Sequence, residues 1–458
     1  MRRAAASLAL LLAGCGAEPA RVTRPASLAA PQVAAADAGE RVVPAERGEP
    51  SEVDREIADV LARVARARHL APRGPVTGRV LDRAALLSRI REHVAREVPA
   101  EVVRGQGQLL VGLGLLPPAY DYVAGLFTLL EAQLAGFYEP SDRTMYLASD
   151  LEDDAAEATL AHELVHALQD QRWDLGPKLA YQADANDTAS ALQSLAEGDA
   201  TSAMFDAMLE GRGTALDLPD AAFAAQTEAL VAMSPDTGRV PGVLRASLLA
   251  PYLDGLRFVH ERRRRGGWAA VDAAWDAPPT TTEQLLHPEK YAAHEAGERV
   301  SPLAPPGEGF RVAYEDVLGE QGARVAFEQW MARRVAARAA EGWGGDRAAL
   351  FERGDGASGS PVVLAAVWRL RFDDAEQARE AATPLAASFA PGGGRPPFAC
   401  AERRDVGPRG VLLDGRDVVV AAGPWRRIGG ATSSAGDCRA LRAWCTALVA
   451  DLHRGGRH

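Results

Sequence analysis

The sequence is nearly devoid of lysine, which stands only at positions 178 and 290, although arginine is abundant and the formal net charge is -11. Such a chain offers no basic block interleaved with aromatics, so nucleic acid is not an expected partner. Beyond the first residues no stretch approaches twenty uninterrupted apolar positions, and no membrane-spanning helix is expected in the body. The 4 cysteines, at 15, 400, 438 and 445, lack the C-x-x-C spacing of a zinc knuckle or a thioredoxin-like site. The glycines of Gly342 to Asp346 fit neither G-x-G-x-x-G nor a phosphate loop, which removes the nucleotide-site reading. No Ser, His and Asp arrangement or catalytic cysteine motif stands out, and no internal duplication marks a repeat. The 47% hydrophobic composition still suits a globular body, and 458 residues can bury one large core or two smaller ones.

What the sequence does hold is an H-E-x-x-H in Ala161 to Gln171, on a helical pattern. A four-residue helical step turns about 400° and rises roughly 6 Å, so His162 and His166 stand one above the other and can share a metal ion. Glu163 sets a carboxylate beside that ion, suited to taking a proton from water. A catalytic zinc usually keeps three protein ligands. The expected third is Glu197, on a second helix from about Thr188 to Glu210 that carries Leu192, Leu195, Met204 and Met208 at helical spacing. Asp170, four residues past His166, shares its face. It is either the acceptor that orients a ligating ring or a solvent-facing aspartate at the helix end.

Residues 1–14 have two arginines and a short apolar run that ends in Leu12-Ala13-Gly14-Cys15. This resembles a bacterial lipoprotein signal, and implies cleavage before Cys15, acylation of that cysteine and attachment to a membrane on the extracytoplasmic side of the envelope. Residues 15–50, rich in Ala, Pro and Val, are expected to be a flexible tether. Residues 51–340 form the expected main body. Its apolar periodicity predicts helices from Glu52, from Arg83 to Glu97 after an Asp82 cap, and from Tyr120 to Leu134. Gly136 to Leu147 reads as two short strands joined by a Pro-Ser-Asp turn, and a strand beside a metal cleft can pair with an extended peptide. Pro251-Tyr252 is expected to open a helix, Arg262 to Arg265 to be a solvated helix end, and Val312 to Ala340 to be helical. Residues 341–458 are expected to form a small mixed α/β portion, with a strand from Val362 to Arg371, a helix from Asp373 to Leu385 and a hairpin about Asp414-Gly415. On one helix from Gly436 to Leu452, Cys438 and Cys445 would be separated by about 10.5 Å of rise, so Cys400 is expected to pair with one of them.

The pattern from His162 to Asp170 resembles the active-site helix of the thermolysin-like zinc peptidases, the gluzincins. A closer resemblance is to a family of poorly characterised bacterial and archaeal H-E-x-x-H lipoproteins and metallopeptidases. It rests on Gly136 to Pro140, His162 to Gln171, Glu197 to Thr201, Pro279 to Tyr291, Leu318-Gly319-Glu320 and Gly342 to Asp346, and spans Glu101 to Asp374. The resemblance implies an α+β, mainly helical, zincin-like fold that binds Zn2+ through His162, His166 and Glu197, with Glu163 as general base. Thr201 stands where thermolysin-like enzymes have a supporting aspartate, and Asp199 is the candidate to replace it. Such enzymes supplement the metal with an imidazolium or phenol donor to the oxyanion. His287 is the first candidate, with Tyr291 and Tyr252 behind it, and a structural role for His287 stands open beside the catalytic one. The expected activity is zinc-dependent hydrolysis of a protein or peptide at the envelope. Its competitors are a non-catalytic zinc-stabilised scaffold and a zinc amidase acting on cell-wall peptides.

Overall fold

The computed structural model describes residues 51–455 apart from 152, 220–224, 226–238, 355–359 and 393. The expected signal, Cys15 and the tether lie outside the described residues. The chain is of the mixed α+β kind and mainly helical. Among the described residues no helix is long and apolar enough to cross a membrane.

The first half is a helical body around a small sheet. Helix α1 (Glu52–Arg68) starts at a capping box between Ser51 and Asp54 and turns Ile57, Leu61 and Val64 inward. Strand β1 (Thr77–Leu81) follows, then α2 (Arg83–Glu97), where Asp82 accepts the Ala85 N–H as its cap. Helices α3 (Ala100–Leu113) and α4 (Tyr122–Gln133) lead into β2 (Gly136–Glu139) and β3 (Thr144–Ala148). These strands form the expected hairpin, and β1 adds parallel to β3 in the order β1-β3-β2. Local sequence gave no sign of β1, because Thr77 to Leu81 lacks alternation. Strand β3 is buried on both faces: Met145 and Leu147 join the core of the helical body, while Tyr146 and Ala148 face α2 and α4.

Next come α5 (Asp153–Trp173), a short α6 (Leu175–Leu179), α7 (Asn186–Leu209) and the long α8 (Gly242–Asp276). Pro251 lies inside α8 and does not open a helix; the break comes at Gly266 and Gly267, whose φ of -157° and 63° leave the helical region. The arginine run precedes that break, but it is not simply solvated: Arg263 is buried against Asp206 at 2.5 Å and over the Trp268 ring. Helices α7 and α8 meet at Gly198 and Gly255. A Cβ on either would run into the other helix's backbone, so only glycine permits this approach.

Short helices α9 (Thr282–Leu286) and α10 (Pro288–Ala293) connect to a seven-stranded antiparallel sheet. It begins with β4 (Arg311–Asp316), so the stretch expected to be helical from Val312 opens as a strand, and helices α11 (Gly319–Phe327) and α12 (Arg333–Ala340) follow. Backbone pairing of β4 with β5 (Trp343–Arg353) carries the sheet to the N-terminal side of the boundary expected at 340/341. The remaining elements are β6 (Val362–Phe372), α13 (Ala375–Phe389), β7 (Phe398–Ala401), β8 (Arg409–Asp414), β9 (Asp417–Ile428), β10 (Ala431–Ser434) and α14 (Cys438–Gly455). Helices α3, α11, α12 and α13 cover one face and α14 the other, which explains the apolar run of β6 from Val362 to Trp368. Cys400 pairs with Cys438, with Cα atoms 5.9 Å apart, and ties β7 to α14; Cys445 is free and buried.

Two buried carboxylates anchor connecting segments. Asp346 accepts from the Leu318 and Gly319 N–H groups and from the Trp343 and Trp368 indoles. Asp187, at the start of α7, accepts from the Thr282 N–H at 2.9 Å and its hydroxyl at 2.5 Å.

Gly255→Ala forces a methyl into the α7 backbone and is expected to cost about 1–3 kcal/mol by urea unfolding. Burial pushes the Asp187 carboxyl up to about 7 against the Thr282 bonds. The folded state therefore holds this proton more tightly than the unfolded chain, and the stability it contributes is present at low pH and lost as pH rises through about 7. Asp187→Asn keeps the acceptor for Thr282, so its melting temperature should exceed that of the parent at about pH 8 and differ little at about pH 4, which thermal scans would measure.

Candidate metal centre

Helix α5 presents His162 and His166 on one face, and α7 presents Glu197 opposite them. His162 Nε2 lies 3.2 Å from Glu197 Oε2 and 3.2 Å from His166 Nε2, while His166 Nε2 is 3.6 Å from the same Glu197 oxygen. The imidazole planes meet at 79°, with ring centroids 4.9 Å apart. The three side chains are buried, Glu197 completely. Glu197 Oε1 is buried without a hydrogen-bond partner, a costly arrangement for a carboxylate oxygen in a closed site unless a cation takes it up. These residues can hold a metal ion.

The arrangement also sets the histidine tautomer. Gln169 Nε2 donates to the Ala196 carbonyl at 3.1 Å, and that carbonyl can only accept. The Gln169 Oε1 therefore faces His166 Nδ1, at 2.8 Å, and His166 must carry its proton there. The lone pair of Nε2 is thereby directed to the centre.

Charge within the site follows from burial and proximity. Burial holds the His162 imidazole below its ordinary value, against the pull of Glu197. Burial acts the same way on His166, but the Glu197 carboxylate overcomes it and raises this group. Burial works to raise Glu197, and His166 and then His162 bring it down. The cluster thus keeps Glu197 ionised and draws a positive charge to it. Glu163 is pushed up to about 7 by burial, and its Oε2 accepts the Tyr138 N–H of β2 at 3.0 Å.

The supporting residues differ from those expected. Asp170 does not bond a ligating ring. It accepts from the Tyr138 hydroxyl at 3.0 Å and the Leu175 N–H at 2.9 Å, and so pins β2 and the start of α6 to the end of α5. Gln169 holds the place expected of Asp170, and three-residue helical spacing from His166 was the signal for it. Asp199 does not support the cluster either. Two residues along a helix turn about 200°, so Asp199 faces away from Glu197. It meets Arg68 at 2.5 Å and the Trp275 indole at 2.8 Å. His287 bonds Glu320 at 2.9 Å, and Glu320 first raises its pKa; no hydrogen bond or ion pair brings it to the cluster among the described residues. The Tyr291 hydroxyl donates to the Ala277 carbonyl. Of the three expected oxyanion donors, Tyr252 lies at the site, its ring 5.9 Å from that of His162. A second acidic group, Glu283, Glu295 and Asp373, already surrounds the Lys290 ammonium at 2.5 to 2.8 Å.

A family model described as a domain of unknown function (DUF8575) matches residues 309–428. That span runs from β4 to the end of β9 and does not include the metal cluster. No curated protein and no solved structure matches the chain.

Gln169→Leu removes the acceptor at His166 Nδ1 while leaving the three ligands in place. Its affinity for a divalent ion should fall by about 10- to 100-fold in chelator competition, with helical content unchanged by circular dichroism.

Proposed function

We propose that this chain is a zinc-dependent hydrolase of peptide bonds with a zincin-like body, exported and anchored through Cys15. The observation that carries the proposal is the spacing of the three ligand atoms, 3.2, 3.2 and 3.6 Å. A tetrahedral ion with bonds of 2.0–2.1 Å requires ligand atoms about 3.3–3.4 Å apart, and two imidazoles with one carboxylate are the donor set of hydrolytic zinc. Location rests on the pattern of residues 1–15 alone.

His162, His166 and Glu197 would hold the ion, which when bound polarises a carbonyl and makes water more acidic. Glu163 then manages the protons. Tyr138 occupies its Oε2, which leaves Oε1 to take a proton from the attacking water and return it to the leaving amine nitrogen. A carboxyl pushed up to about 7 suits transfer in both directions near neutral pH. Tyr252, whose ring lies 5.9 Å from that of His162, is the candidate phenol to donate to the carbonyl oxygen as negative charge develops there. Water forms the new C–O bond as the C–N bond breaks, with no acyl-enzyme.

One observation favours a second reading. The ligands are 6%, 5% and 0% exposed, as in a site where an ion only staples α5 to α7. The two readings part on Glu163, which is not a ligand. The folded chain should bind one zinc and cleave a denatured-protein mixture, and Glu163→Gln should keep the zinc while losing about a hundredfold or more of the turnover. Zinc in both proteins with cleavage in neither would select the staple, and no zinc after reconstitution would end both readings.

A further inference from the structure

Charge is divided unevenly along this chain. Residues 395–458 hold eleven arginines against six aspartates and glutamates, a net of +5, while residues 1–394 carry -16, which together give the chain its -11. In the helical body, arginines such as Arg68 and Arg324 meet carboxylates. At the C-terminal end Arg403 meets Asp405, but among the described residues Arg404, Arg426, Arg427 and Arg439 have no ion-pair partner. The two other carboxylates of this region, Glu402 and Asp437, accept the Cys438 and Ala440 N–H groups at the start of α14.

The free arginines come together from three segments. The Ser434 N–H donates to the Arg404 carbonyl at 2.9 Å, and β10 pairs with β9 so that Ser433 stands opposite Arg426 and Thr432 opposite Arg427. Glu402 holds the Cys438 N–H at 2.7 Å, which brings the next residue, Arg439, to the same place. Neighbouring strands lie about 5 Å apart, so these side chains spring from one small area. Along β9, Trp425 joins the core on the face away from α14; its neighbour Arg426 and then Ile428 therefore lie on the α14 side.

Ile428 ends β9 and is 53% exposed, the most exposed large apolar side chain among the described residues. Pairing of β9 with β6 stops at Arg427, so Ile428 and the Gly429-Gly430 loop run past the end of β6. A Cβ on either glycine would meet nothing within 4 Å. The tip is thus an isolated apolar side chain projecting beside unpaired arginines.

We propose that the β9–β10 tip and the arginines around it dock on an anionic lipid bilayer, with Ile428 entering the headgroup layer and Arg404, Arg426, Arg427 and Arg439 meeting lipid phosphates. A protein partner would need a carboxylate placed for each scattered arginine. A bilayer offers phosphate at every position and an apolar layer beneath it for a protruding side chain. The same surface repels the acidic remainder of the chain, so attraction at one end and repulsion at the other set a single orientation. This inference goes beyond the hydrolase reading and does not rest on it.

The test is co-sedimentation of the full-length chain carrying Cys15→Ser, which cannot be acylated there, with vesicles of phosphatidylcholine alone or with about one third phosphatidylglycerol. Binding to the anionic vesicles should be at least about tenfold tighter, and the difference should vanish in about 0.5 M salt. Arg404→Glu combined with Arg439→Glu should weaken anionic binding about tenfold or more, and Ile428→Ser about threefold, with melting temperature unchanged. All three positions are exposed, and Ile428→Ser reports alone if the charge-reversed chain fails to fold. Equal binding to the two kinds of vesicle, or parental binding by either variant, would overturn the proposal. Displacement of the vesicles by polyglutamate, with Ile428→Ser indifferent, would overturn it in favour of an acidic protein partner. Zinc content and cleavage do not enter the readout, so the docking surface and the hydrolase can fail separately.

Discussion

A carboxylate taken out of water must be met by positive charge or by several donors, and α7 carries two such groups two residues apart. Glu197 and Asp199 are both fully buried and point to opposite sides of a helix that is itself buried along Ala191 to Ala200. Each therefore calls for its own partner from a different direction. Asp199 receives Arg68 from the end of α1 and the Trp275 indole from α8. Arg68 is fully buried as well: burial opposes its charge, but Asp199 and Asp272 hold it above its usual value, and it packs over the Trp268 ring. Glu197 receives the imidazoles of α5. The positions of α1, α5 and α8 around α7 follow from satisfying these two carboxylates.

That solution demands close approach, and small residues supply it. Glycines at 198 and 255 let α7 and α8 touch backbone to backbone, which brings Tyr252 to His162. The hairpin is held by equally specific bonds: Tyr138 uses its N–H on Glu163 and its hydroxyl on Asp170, and Glu139 takes His93 at 3.0 Å and the Ser141 N–H. Burial would raise the Glu139 carboxyl, and His93 brings it down to about 2. The supporting residues of the metal cluster thus come from α5 itself, from β2 and from α8, while the seven-stranded sheet meets the start of α7 through Arg347 on Asp184 and Asp316 on the Asn186 N–H.

How much of this was legible in the sequence depended on whether a feature is local. The i, i+4 histidines, the helix bearing Glu197, the Asp82 cap and the hairpin about Ser141 each have a short-range cause, and their elements stand where periodicity and turn chemistry put them. Asp199 was misjudged although spacing alone argued against it, since a side chain two residues from a ligand leaves the ligand's face. For His287 a structural and a catalytic role stood side by side, and its partner, Glu320, is thirty-three residues away on α11, so no local pattern could choose between them. Helix α3 shows the same limit in reverse. Its glycines lower helix propensity, yet Gly105 and Gly107 are where the side chains of Tyr314 and Tyr122 press against it, so tertiary packing is the reason for a locally poor sequence.

The packing of α7 also fixes the metal cluster. Arg68 fastens one face, Gly255 abuts another, and the imidazoles meet a third, so the helix has little freedom to rotate or slide. Glu197 is then presented to His162 and His166 at ligand spacing by packed helices, and loop conformation has little part in it.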